Sequence, residues 1–232
     1  MEKLWLRLQA PFAAFRYFQA GVYRATSPVI PHSAAWGLVL NLAGIDIRIN
    51  ENNAITEIDP KAPKLLIAIG SVSAGEKNTL YQQLHSYPVG TSGKDIAERT
   101  KGAKYWIAPV KRELLVGFDA MIGIQTDDKL LVEKIERGLC GELDIARYGL
   151  PFAGDNNLLF DQIEVVSSPE PANWYTPVEQ NDSPRRDSCR LSIKIDRTDS
   201  SKSRSLLFAP EIARSQTPPE SAWIWTPESS AA

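Results

Sequence analysis

The sequence predicts an α+β protein built on a ferredoxin-like, split βαβ core, the arrangement that also underlies RNA-recognition domains. Three observations carry that expectation. Leu4, Leu6 and Leu8 alternate with Trp5, Arg7 and Gln9, and a period of two marks a half-buried strand. Ala34, Ala35, Leu38, Val39 and Leu42 then recur at helical spacing ahead of a stop at Gly44. Beyond them, periodic segments follow in the order strands, helix, strand.

Taken in order, the first strand presents leucines on one face and an indole and a guanidinium on the other. The second pair is suited to stacking on bases and contacting phosphate. A basic aromatic loop follows, with Phe15, Arg16, Tyr17, Tyr23 and Arg24, and a helix is expected from Ser33 to Ala43 after Pro28 and Pro31. Residues 45 to 50 form a short strand or a frayed helix end, and 51 to 63 a polar loop. The apolar run from Lys64 to Gly70 has the length of a central strand. Thr79 to Pro88 alternates again, with Tyr81, His85 and Tyr87 on one side.

From Val89 to Ala103 the pattern breaks. Gly90, Gly93 and Gly102 stand among Lys94, Arg99 and Lys101, with Lys104 at the edge. A coreless loop of this length is usually functional or disordered. Strands are expected from Lys104 to Leu115 and from Val116 to Gln125, so the basic, glycine-bearing stretch projects as a tip. Asp127 is the expected cap of a second helix carrying Leu130, Leu131, Lys134 and Ile135, ending at Gly138 or Gly141. A glycine loop, Arg147 to Asp155, precedes an expected strand from Leu158 to Val166.

After Ser167 proline and serine become frequent. We therefore divide the chain into a core, residues 1–166, and an irregular extension, residues 167–232. The extension should hold a strand from Cys189 to Ile195 and a loose end after about residue 227, and pack on the core or a partner.

Across its 232 residues the chain is 43 % hydrophobic and 23 % charged, with a formal net charge of −2. That is a globular composition, and any nucleic-acid site must be a local patch. Cys140 and Cys189 have no metal-motif spacing, so both are expected to be reduced packing residues in a cytoplasmic protein. No run approaches the roughly 18 apolar residues of a membrane span, and no membrane partner is expected. Paired-cysteine, two-histidine and phosphate-loop motifs are absent, so neither a metal site nor a cofactor is predicted.

The local patches are three. Arg7, Arg16 and Arg24 stand beside Trp5, Tyr17 and Tyr23, and arginine both forks phosphate and stacks on bases. Lys94, Arg99, Lys101 and Lys104 form the second group. Arg185, Arg186, Arg190 and Arg197 form the third, largely neutralised by Asp187, Asp196 and Asp199. Arg147, Gly149 and Gly154 add a loop whose backbone N–H groups could approach a phosphate.

Leu4 to Arg16, the helix start Pro31-His-Ser-Ala-Ala-Trp-Gly37 and Arg147-Tyr-Gly-Leu-Pro-Phe-Ala-Gly154 together resemble the fifth CRISPR-associated (Cas) protein family. That family belongs to the RAMP superfamily of Cascade subunits, and the likeness is to its myxobacterial-type, type I-B-like branch. It covers about residues 2 to 166. It implies an RNA-recognition-like core with a β-hairpin thumb, here at residues 89–104. It further implies a subunit that caps the complex and holds the 5′ handle of the CRISPR RNA. Neighbours would be the backbone and large subunits, with target DNA reached through the complex, in antiviral defence or RNA-guided transposition.

One branch of that family cleaves precursor RNA with a tyrosine, a lysine and a histidine. Metal-free cleavage needs a base, an acid and a cation, and this chain has only His32 and His85. Neither completes a convincing trio, so RNA binding without catalysis is expected, with a processing endoribonuclease as the alternative. Replacing Lys94, Arg99 and Lys101 together with alanine is expected to weaken handle binding in a salt-sensitive way.

Overall fold

The computed structural model describes residues 1–17, 23–49, 56–88, 105–179 and 181–228. The chain opens with β1 (Glu2–Ala13), and Leu4, Leu6 and Leu8 are buried on one face as their alternation predicts. The basic aromatic segment carries β2 (Phe15–Arg16), β3 (Tyr23–Arg24) and β4 (Thr26–Ser27). Helix α1 (His32–Leu42) starts one residue earlier than expected, because Pro31 already takes the extended conformation of a cap. A small ribbon, β5 (Arg48–Ile49) with β6 (Glu57–Ile58), follows.

Next come β7 (Leu65–Ser73), β8 (Glu76–Pro88) and β9 (Tyr105–Thr126). Two expected strands, split at residue 115, are here a single 22-residue strand. The correction has a local cause. Gly117 adopts φ 70°, a left-handed conformation inside the strand, while the register with β1 is the same on either side of it, Ala10↔Phe118 and Phe12↔Val116. A second glycine, Gly75 with φ 57°, turns β7 into β8. Both strands then pair antiparallel with β9, from Leu66↔Gln125 to Pro88↔Tyr105. Residues 65–88 thus pair along most of their length with residues 105–126. Lys94, Arg99, Lys101 and Lys104 lie outside the described residues.

Helix α2 (Lys129–Cys140) is capped by Asp128, whose carboxylate accepts from Leu131 N. The expected cap, Asp127, stands one residue too early to reach that donor. The helix ends at Gly141 in the left-handed conformation (φ 75°), while Gly138 lies inside it. Strand β10 (Gln162–Val166) begins later than expected, because Leu158 N donates to Asp155 O and closes a turn there. The extension supplies β11 (Asn173–Pro177), β12 (Cys189–Lys194), β13 (Arg204–Pro210) and β14 (Ile224–Thr226).

The main sheet runs β10–β1–β9–β7–β11–β13–β12, with β14 on β7 and with β3 and β8 on β9. All its pairings are antiparallel except β3 on β9. Both described helices cover one face, so the fold is α+β. The leucines of β1 meet Ala35, Val39 and Leu42 of α1 and Leu131 and Ile135 of α2 in the main core. The opposite face is covered by the extension. Trp174 is fully buried there, with Ala68, Met121, Ala172 and Ala222. No described helix is long and apolar enough to cross a membrane.

Candidate functional site

The site begins with a close approach of backbone. Gly154 adopts φ 84°, and a Cβ there would lie 2.4 Å from Ala14 O. Ala14 N donates to Ala153 O at 2.9 Å. The end of the glycine loop is therefore clamped on the junction of β1 and β2, which delivers Asp155 beside Arg16. Asp155 Oδ2 accepts from Arg16 Nη2 at 2.5 Å and from Arg112 Nη1 at 2.8 Å. Its other oxygen accepts from Asn157 N and Nδ2.

A third guanidinium completes the group. The parallel pairing of β3 on β9 sets Arg24 opposite Arg112. Burial and the positive charge of Arg16 lower the Arg112 pKa, Asp155 opposes them, and Arg24 lowers it further. Burial alone would raise the Asp155 carboxyl. The hydrogen bonds from Arg16 and Asn157, with the guanidinium charges, hold it below its ordinary value. Two of the three cations thus share one buried carboxylate, part-way along the pairing of β8 and β9, and Arg24 stands close by without bonding it.

The other face of the same strands is aromatic and basic. Tyr23 and Tyr81 both stand opposite Lys111 in register, so the row across β3, β9 and β8 reads Tyr, Lys, Tyr. All three are exposed. Two residues on, Glu113 accepts from Tyr23 OH at 2.6 Å and from Thr26 N at 3.0 Å, with Lys77 Nζ at 3.9 Å. The Glu113 hydrogen bond raises the Tyr23 phenol pKa.

The structure brings Arg16, Tyr23, Arg24 and Gly154 together and sets Trp5 and Arg7 apart. Arg7 stands opposite Met121 and Arg24 opposite Arg112, about 30 Å along β9 at roughly 3.3 Å per residue. Trp5 lies between Trp174 (6.0 Å between ring centroids) and Trp223 (5.8 Å). Arg7 forks Asp119 through Nε at 3.1 Å and Nη2 at 2.8 Å, and Gln9 joins at 3.0 Å. These groups face protein because the extension lies over them. Tyr17 is half-buried, and burial raises its phenol pKa.

Arg147 and Gly149 (φ 69°) sit in an exposed loop whose Tyr148 ring lies under the Arg48 guanidinium. The Gly154 amide donates to Phe152 O, so this glycine serves packing. His85 lies on β8, its side chain outside the description. Sequence reasoning missed Arg112, Lys111 and Asp155. Lys111-Arg112 stands within an alternating stretch, a signal that becomes legible only once Arg24 is placed beside it. Among the described residues no cluster of three potential metal ligands occurs.

No protein-family model matches the chain, and no curated protein does. Solved structures match it in fold. A chain described as "CRISPR RNA-guided surveillance complex" superposes with a TM-score of 0.59 at 14 % identity, over 94 % of this chain and 95 % of that one. Another, described as "Crystal structure of Cas protein", has a TM-score of 0.48 at 13 % identity, over 94 % and 98 %. The first likeness is one of fold and extends along almost the whole chain, extension included.

Proposed function

We propose that this protein is a non-catalytic, RNA-binding subunit of a CRISPR effector complex of the Cascade type, holding the 5′ handle of the CRISPR RNA. The observation that carries the proposal is the Arg16–Arg24–Arg112 cluster, whose charge a single carboxylate cannot balance. It gathers part-way along the pairing of β8 and β9, with exposed Tyr23 and Tyr81 on the opposite face. Single-stranded RNA is held by that combination of phosphate contacts and stacking surfaces. The fold shared with a chain of a surveillance complex supports the same reading, with the backbone and large subunits as protein partners.

The test is Arg24→Glu in the assembled complex, since Arg24 has no carboxylate partner among the described residues. Handle affinity should fall, and the slope of log K against log salt should shrink by about 0.7 or more for the lost phosphate contact. Unchanged affinity and slope would reject the cluster as the site. One observation favours a second reading, a metal-independent processing endoribonuclease: the Tyr23 phenol, Glu113 carboxylate and Lys77 amine form one group. Incubation with the cognate repeat RNA without metal decides between them. Cleavage that disappears in Tyr23→Phe would make the protein an enzyme.

A further inference from the structure

We infer that Asp155 is a positioning residue that holds Arg16 and Arg112 open, with Arg24, as a seat for one phosphate group of an RNA strand. The inference rests on the RNA-binding reading and names what the arginine cluster takes.

Exposure grades through the cluster from inside to outside. The Asp155 side chain is 4 % exposed, Arg112 17 % and Arg16 40 %. The carboxylate lies at the bottom and the guanidinium groups form the rim. Both carboxylate oxygens are occupied from within, one by the two arginines and the other by Asn157. Asp155 therefore has no capacity left for Arg24. Each arginine engages it through a single nitrogen, so the remaining edges of both forks face elsewhere.

One of those donors is already desolvated. Arg112 Nε is buried and has no hydrogen-bond partner. A buried donor without an acceptor is costly, so a turn of the Arg112 guanidinium that brings Nε to an arriving oxygen would relieve that cost. The three cations exceed the one anion by two charges, enough for a phosphodiester or a terminal phosphate. The arms come from β2, β3 and β9, and those of Arg16 and Arg112 are tied to Asp155, so these two lose little side-chain freedom on binding.

Asp155→Asn separates this role from simple charge attraction. Removing a negative charge beneath a cationic patch should tighten RNA binding if only net charge matters. If Asp155 positions the arginines, the same change weakens binding, roughly tenfold for the loss of one charged hydrogen bond. Asn157→Ala changes no charge and provides the second variant. It should weaken binding several-fold while leaving the salt slope at its wild-type value, whereas Arg24→Gln lowers the slope.

The probes are short single-stranded RNAs bearing either a 5′-hydroxyl or a 5′-phosphate, and inorganic phosphate alone, titrated into the intact protein. Equal losses on both RNAs assign a backbone phosphate to the seat, and a loss confined to the 5′-phosphorylated RNA assigns a terminal one. Tighter binding by Asp155→Asn together with unchanged binding by Asn157→Ala overturns the positioning role and leaves RNA binding standing. Inorganic phosphate binding that is lost in Arg24→Gln, with no binding of either RNA, overturns the RNA reading and leaves the seat standing.

Discussion

At the scale of single residues, His32 is the group whose surroundings make the sharpest statement. Its ring is fully buried, stacks on Phe208 at 4.7 Å, and has no partner on either nitrogen. Burial lowers its pKa from 6.5 to about 3. The unfolded chain takes up a proton near pH 6.5 and the folded one does not. Its contribution to stability is therefore complete above pH 6.5 and is lost as pH falls toward 3, at up to about 1.4 kcal/mol per pH unit. His32→Phe keeps the stack and removes the titration. Urea unfolding between pH 7 and 4.5 should show a flatter stability profile for the variant; superimposable profiles would refute the buried neutral histidine. Asp155 works in a separate window. Its folded pKa is depressed, so its contribution stands above about pH 4 and disappears as pH falls through the folded value. The sequence placed His32 at a helix start, which is where it lies, but Phe208 is on β13 and no local pattern could join them.

At the scale of elements, the contact between α1 and α2 turns on one glycine. Alanine in a helix interior is favoured over glycine by about 1 kcal/mol, so propensity alone predicts that Gly138→Ala stabilises the protein. A Cβ at Gly138, however, would lie 1.8 Å from Leu42 O, and backbone cannot yield as a side chain can. The clash wins. We expect Gly138→Ala to destabilise by about 1–3 kcal/mol, measured as a lower urea midpoint, whereas a stabilised variant would show that the helices are not packed so closely. The helical stripes of α1 and α2 were legible because their period is local. That Gly138 lies inside α2 and Gly141 ends it was not, since both glycines fit a C-terminal stop and only the neighbouring helix distinguishes them. The same holds for β9. Its two halves look like separate strands until β7 and β8 are seen to share it as a partner.

At the scale of the whole molecule, the extension completes the sheet and covers its second face. Trp174 is fully buried beside Trp5, and its Nε1 donates to Ser215 O at 2.7 Å. Trp174→Ala should cost about 3–5 kcal/mol and loosen the segment from β11 to β14, read as proteolysis in the extension before the core. Cleavage that leaves residues 167–228 intact would show that the tryptophan cluster is not what holds them. The same burial explains why Trp5 and Arg7, attractive as an RNA platform in the sequence, face tryptophans and Asp119. Arg16, Tyr23 and Arg24 lie on β2 and β3, away from that tryptophan cluster.

The sequence by itself determined the period of each element, the leucine face of β1, the helical stripes and the overall α+β class, because those depend on residues a few positions apart. It also placed basic and aromatic side chains in one stretch. Only the tertiary structure decided which of them share a surface. Arg112 reaches Arg24 through a parallel pairing, and Asp155 reaches Arg16 through a glycine loop clamped on β1. Charge density at a site depends on distances in space, and the residues that set it here are separated by up to 139 positions along the chain.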